Sequence, residues 1–226
     1  MGMKYLCALL LAVFSLKAFC GQVPVGYQIP DDSISPDHRF GVSVPMREGP
    51  AEETAKNSVI ELQSGRTVAA INAYTGWDHA NHDEPLPSRW SKDSSILVWS
   101  VDGKWFPNAL VVLHLKDNAL AWQLDLLKAA QTEILARTRQ ATPEKYAAIK
   151  VGHKGWGSAY KDGFSIDVEV DGEIALPLRF HATLTSDPKG ADNLAVVQSH
   201  LEGVVAANGE VSFKEFGLGR GRSRRF

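Results

Sequence analysis

The chain has 226 residues, of which 44% are hydrophobic and 22% charged, with a formal net charge of −2. This length accommodates one domain or two small ones, and the composition excludes a wholly disordered or fibrous chain. The near-balanced charge gives no general electrostatic basis for binding nucleic acid or anionic membrane.

The first twenty residues have the order of a secretory signal. Lys4 supplies the positive charge, Tyr5 to Leu16 is an apolar run, and Ala18-Phe19-Cys20 offers small residues at −3 and −1 for cleavage before Gly21. Cleavage after Ala18 is the alternative. The run is too short to span a bilayer, which takes about 20 apolar residues, and no later segment comes near that length, so no transmembrane segment is expected. The expected location is therefore periplasmic or extracellular, with a signal peptide over 1–20. Lys17 and Phe19 sit where a lipobox would have Leu and a small residue, which argues against a lipoprotein anchored through Cys20. Both cysteines, Cys7 and Cys20, fall in the signal. The processed chain is thus expected to lack disulfides, thiolate nucleophiles and Cys-ligated metals.

Residues 22–38 are rich in Pro, Asp and Ser and read as an entry loop. Phe40 to Val44 reads as a short strand. Ser58 to Leu62 and Thr67 to Ile71 flank Gln63-Ser64-Gly65-Arg66, a hairpin turn. Residues 72–89, with Gly, Asn, two Pro and several acids, read as a long loop. Ile96 to Val101 is apolar on both faces, as a central strand is. Leu110 to Leu115 and Ala119 to Trp122 follow, joined by Lys116-Asp117-Asn118.

Helical signals then take over. Asp125 can cap a helix running to about Arg139, with Leu127, Ala130 and Ile134 on one face and Glu133 four residues before Arg137. Thr142-Pro143 reads as an N-cap with Pro at the first position of a second helix, which Gly152 stops. Four glycines follow in a loop over 152–163. Next, Phe164, Ile166, Val168 and Val170 alternate with polar residues, as do Ile174, Leu176, Leu178, Phe180, Ala182 and Leu184. Matching their apolar faces predicts a hairpin with the three-residue loop Asp171-Gly172-Glu173, pairing Val170 with Ile174 and Phe164 with Phe180. Asn208-Gly209 signals a later hairpin.

These elements predict an α+β fold, mostly antiparallel β. It comprises an N-terminal β-rich, blade-like region over 21–124, then a central helix pair with a C-terminal β-meander over 125–218 sharing one core. A disordered basic tail covers 219–226.

A loose repeat runs through the first β region. Ile34-Ser35-Pro36-Asp37 before Phe40-Gly41-Val42 returns as Trp90-Ser91-Lys92-Asp93 before Ile96-Leu97-Val98. Over about 35–122 the chain resembles β-propeller blades of the tryptophan–aspartate repeat kind and their bacterial periplasmic relatives. There, a Ser-Pro-Asp turn leads a strand straight into the core. The resemblance points to a family of uncharacterised exported bacterial proteins. It implies a blade-like sheet beside a helix and a second sheet, and it carries no activity. A closed propeller takes about 4–8 blades, and this chain has room for two.

Few constellations point to chemistry. His79 and His82, with Asp83 beside them, are suitable ligands for a divalent metal. They sit, however, in a Pro- and Asn-containing loop with no rigid element to hold a tetrahedron, and the plainer reading is a solvated loop. Ser158 lies in Gly155-Trp156-Gly157-Ser158-Ala159, which follows a helix rather than a strand and so has the wrong setting for a nucleophile elbow. Asp167 and Glu169 share a strand face that alternation makes the solvent face. Five of the six tryptophans fall in the first β region or its loops. Of these Trp77 and Trp105 are near loops, where aromatic rings serve as platforms for sugars or partner proteins. The sequence therefore points to a non-catalytic binding module using Trp77, His79, His82, Trp90 and Trp105 on a protein or glycan partner, without nucleic acid or cofactor. The alternative is a metal-assisted hydrolase built on the His79/His82 loop.

Overall fold

The computed structural model describes residues 23–46, 56–71, 89–102, 107–152, 162–186 and 196–219. The fold is α+β, with three four-stranded antiparallel sheets and two α-helices among the described residues. The first sheet holds β1 (Tyr27–Gln28), β2 (Phe40–Pro45), β3 (Ser58–Glu61) and β4 (Thr67–Ala70), ordered as in the chain. The second holds β5 (Arg89–Trp90), β6 (Ile96–Asp102), β7 (Pro107–Lys116) and β8 (Ala119–Asp125), again in chain order. The N-terminal β region is thus two stacked meanders. Strands β1 and β5 fall where the sequence reads as loop, because two residues carry no periodicity.

The two meanders begin with the same turn. The Ser35 hydroxyl donates to Asp37 Oδ1 (2.8 Å) and accepts from Phe40 N (3.0 Å), while His38 N donates to Ser35 O (2.8 Å). The Ser91 hydroxyl donates to Asp93 Oδ1 (2.6 Å) and accepts from Ile96 N (2.8 Å), while Ser94 N donates to Ser91 O (2.9 Å). Backbone bonds from Ser35 N to Phe40 O and from Ser91 N to Ile96 O, both 2.9 Å, complete the match. His38 (φ 57°) and Ser94 (φ 60°) take the same left-handed conformation. Pro36 and Lys92 hold the second turn position, which proline favours and does not require. The turns also touch, Asp37 N donating to Ser94 Oγ at 3.2 Å.

One core lies between the stacked sheets. Phe40, Val42, Val44, Val59, Ala69 and Ile71 meet Leu97, Trp99, Val101, Ala109, Val111, Leu113 and Leu115 there. The other face of β6 and β7, with Ile96, Val98, Leu110 and Val112, belongs to a second core. This is why β6 reads as apolar on both faces. The second core is completed by α1 (Leu126–Ala141), α2 (Pro143–Gly152) and the third sheet.

Asp125 caps α1 as expected, its Oδ1 accepting from Lys128 N at 3.0 Å. Leu127, Ala130 and Ile134 form the buried stripe, extended by Leu126, Leu135 and Thr138. Thr142 accepts the first backbone bond of α2, from Tyr146 N, but its hydroxyl turns back to Thr138 O (2.9 Å) and closes α1 instead.

The third sheet is formed by β9 (Phe164–Val170), β10 (Leu178–Ser186), β11 (Gln198–Val205) and β12 (Val211–Leu218), ordered β12-β11-β10-β9. The expected three-residue loop after Val170 is not formed. Val170 pairs with Phe180, Val168 with Ala182 and Ile166 with Leu184. The apolar faces are those expected, because the displacement is an even number of residues. The register differs because Ile174 is buried in the second core and Leu176 packs against it from the connection, which ends at a cis Leu176–Pro177 bond. Proline cannot donate to the ladder, and here it marks the start of β10. The Asn208-Gly209 hairpin forms, with Gly209 at φ 85° and Gly209 N donating to Ala206 O at 2.9 Å. Its tip docks on the second sheet, since Trp122 Nε1 donates to Ala207 O at 3.0 Å.

Candidate functional site

The two stacked meanders have dissimilar ends. At one end lie the tight turns Ser35–Arg39, Leu62–Arg66, Ser91–Ser95 and Lys116–Asn118, and these are cross-linked. Arg39 Nη1 donates to Asn118 Oδ1 (2.9 Å) and Arg66 Nη2 to Asn118 O (3.3 Å). Arg39 Nε also donates to Asp37 Oδ2. Burial pushes the Asp37 carboxyl up, but hydrogen bonds from the Arg39 side chain and backbone, Ser35 and Ser94 outweigh it and hold the group down at about 2. The Asp93 carboxyl is likewise held low, chiefly by the Ser91 hydroxyl and then by Ser95.

At the opposite end the described chain stops at Met46, Ile71 and Asp102, and resumes at Lys56, Arg89 and Pro107. Antiparallel pairing requires this: β2, β4 and β6 all run toward that end, and β3, β5 and β7 all return from it. Three connections therefore start and finish at one edge of the stack. Trp77, His79, His82 and Asp83 lie on the second connection and Trp105 on the third, outside the described residues. The segment around Ser158 and residues 1–20 lie outside them too.

Trp90 is described, and it does not stand with the connections. Its ring stacks on Phe40 (centroids 6.2 Å apart) and its Nε1 donates to Ser33 O at 3.0 Å. It packs against the core between the sheets, pinning β5 to the first meander.

Asn57, just after the first connection returns, is fully buried, and neither its Oδ1 nor its Nδ2 has a hydrogen-bond partner among the described residues. The Ile71 N–H donates to its backbone carbonyl at 2.9 Å, which places the residue between the first two connections. A buried, unpaired amide costs free energy and calls for an explanation beyond packing. The chain matches no known protein-family model, no curated protein and no solved structure.

A second polar group lies on the outward face of the third sheet. His181 Nδ1 is 2.8 Å from Asp171 Oδ1, and its Nε2 is 3.3 Å from Glu169 Oε2. Glu169, His181, Glu202 and Glu215 oppose one another in a row across all four strands. Burial and the nearby Glu169 charge both push the Asp167 carboxyl up. His181 escapes a reading of the sequence because its partners are fixed by the β9–β10 register. Among the described residues no three His, Asp or Glu side chains are grouped so as to hold a metal ion. No described helix is long and apolar enough to cross a membrane.

Proposed function

We propose that this is an exported, non-catalytic binding module that engages a protein or glycan partner through the connections at one end of the stacked meanders. The observation that carries the reading is that three connections start and finish at one edge of the double sheet, beside the Asn57 amide, which has no partner among the described residues. Loops held by a scaffold are where binding residues concentrate. Trp77 and Trp105 supply aromatic contact area, with His79 and His82 as polar neighbours. Trp90 takes a supporting role. The Ser and Asp side chains of the two turns are engaged in hydrogen bonds at the far end, which favours a structural duty for them over a chemical one. On the same reading the meanders are kin to propeller blades, supported by their shared strand order and shared turn.

The test is binding of the processed chain to glycan and exported-protein arrays, repeated with Trp77→Ala and Trp105→Ala. The expected result is lost binding with an unchanged melting temperature. Full binding by both variants refutes the assignment. Stoichiometric zinc, lost in a His79→Ala/His82→Ala variant, replaces it with the hydrolase reading. Export is tested by intact mass of protein from the native compartment, where residues 1–20 are expected to be missing.

A further inference from the structure

Among the described residues the third sheet is bounded by β9 on one side and β12 on the other. Strand β12 is outermost, and on its inward face Phe213 and Phe216 are only half-buried while Leu218 is 51% exposed. Between α1 and β12 runs a groove of about 630 Å³ lined by Glu133, Ala136, Arg137, Gln140, Ala141 and Phe216. An edge that pairs with no other strand among the described residues, beside such a groove, is a template for one more strand.

The sequence of the edge says which strand fits. Glu215 opposes Glu202 and Phe213 opposes Gly203, so Lys214 is the extra residue of a bulge. Facing therefore does not follow odd and even numbers through β12. Val211 and Phe213 point inward before the bulge, and Phe216 and Leu218 point inward after it. Ser212, Glu215 and Gly217 point outward. The pattern reads the same from either end.

Directly opposed residues of antiparallel neighbours share a face. In an unbulged strand, a two-fold axis between two adjacent residues would set every inward residue against an outward one. The bulge at Lys214 removes that conflict. An axis between Lys214 and Glu215 sets Val211 against Leu218, Phe213 against Phe216 and Ser212 against Gly217 of the second copy. It also sets Lys214 against Glu215, twice. We propose that β12 pairs antiparallel with β12 of a second copy about this axis, joining two four-stranded sheets into one. Val211 and Phe213 of the second copy then lie beside Leu218 and Phe216 along the α1 groove. A lysine on an edge ordinarily discourages pairing; here the symmetric register neutralises it and other registers do not, so it selects the partner. The inference is independent of what the connections at the other end of the molecule bind.

The test is light scattering and sedimentation of the processed chain with K214E and E215K. The native chain is expected to dimerise. Each single variant sets two like-charged pairs in the interface and is expected to weaken dimerisation about tenfold or more. The two variants mixed restore Glu–Lys pairs and are expected to form a heterodimer. Both positions are exposed, so circular dichroism should be unchanged, and rescue on mixing excludes misfolding. A native chain that stays monomeric up to millimolar concentration overturns the proposal, whether or not an extended peptide binds the edge. So does a dimer indifferent to both charge reversals.

Discussion

Replacing Gly203 by alanine should destabilise the third sheet for a purely steric reason. A Cβ at this position would stand 2.3 Å from Phe180 Cζ and 2.6 Å from Cε1. Atoms of real side chains do not approach so closely, so either the ring or the strand must move. The ring has little room. Phe180 is 1% exposed, packs edge-on against Phe213 with centroids 6.2 Å apart, and stands between Val170 and Gly203 in the ladder. Overpacking of this kind costs about 1–3 kcal/mol. Restricting the unfolded chain offsets about 0.4–1 kcal/mol of that. A net loss of about 1–2 kcal/mol corresponds to a melting temperature lower by about 2–8 °C for a chain of this size. Gly217→Ala is the control. Its Cβ would lie 2.5 Å from His200 Cε1, but that imidazole is on the outward face and can swing away, so the cost should stay below about 0.5 kcal/mol. The assay is urea unfolding of both variants, with Phe180→Leu and the double variant Phe180→Leu/Gly203→Ala. Shortening Phe180 should relieve the clash, so the double variant should be more stable than additivity predicts, by about 1 kcal/mol. A neutral Gly203→Ala, or strict additivity with Phe180→Leu, would show that the ring does not hold the position assigned to it.

The remaining predictions concern the turns and the buried amide. Ser35→Ala and Ser91→Ala each remove a hydroxyl that bonds both an aspartate and a strand N–H; each should cost about 1–2 kcal/mol in denaturant midpoint, and a loss at one site only would refute the equivalence of the two turns. Asn57→Leu removes an amide that is buried without partners among the described residues, so thermal unfolding should shift upward by the equivalent of about 1–3 kcal/mol; a lower melting temperature would mean that the amide is satisfied. The Asp37 carboxyl titrates at about 2 in the folded chain against an ordinary 3.8. A depressed folded value means that its contribution is fully present above the ordinary value and is lost as pH falls toward the depressed one. The group is partly exposed to solvent, so after screening the effect should be about 1 kcal/mol. Asp37→Asn should flatten the acid limb of a pH–stability curve in that window, and an unchanged limb counts against the Asp37 network.

What the sequence determines here is local and periodic. Alternation over Phe164–Val170 and Leu178–Leu184 assigns the inward face of β9 and β10 correctly, because side chains point to opposite faces with a period of two. Asp125 marks the start of α1, and the Ser-x-Asp pairs mark both turns, because each is a short-range bond between a side chain and nearby backbone. The same alternation cannot choose among registers that differ by an even number of residues. That choice fell to Ile174 and Leu176, which gain more by packing on the second core from a loop than by pairing with β9. The His181–Asp171–Glu169 contacts follow from that register and were hidden with it. Of the residues the sequence offers as a site, Trp90 reads as a binding candidate until tertiary packing sets its ring on Phe40 and its Nε1 on Ser33. That the strand ends at Ile71, Arg89, Asp102 and Pro107 lie at one edge of the stack is likewise invisible along the chain. It follows from the stacking of two meanders through buried faces drawn from residues 40–71 and 97–115, and contacts between such distant segments are decided by burial of the whole surface rather than by any local signal.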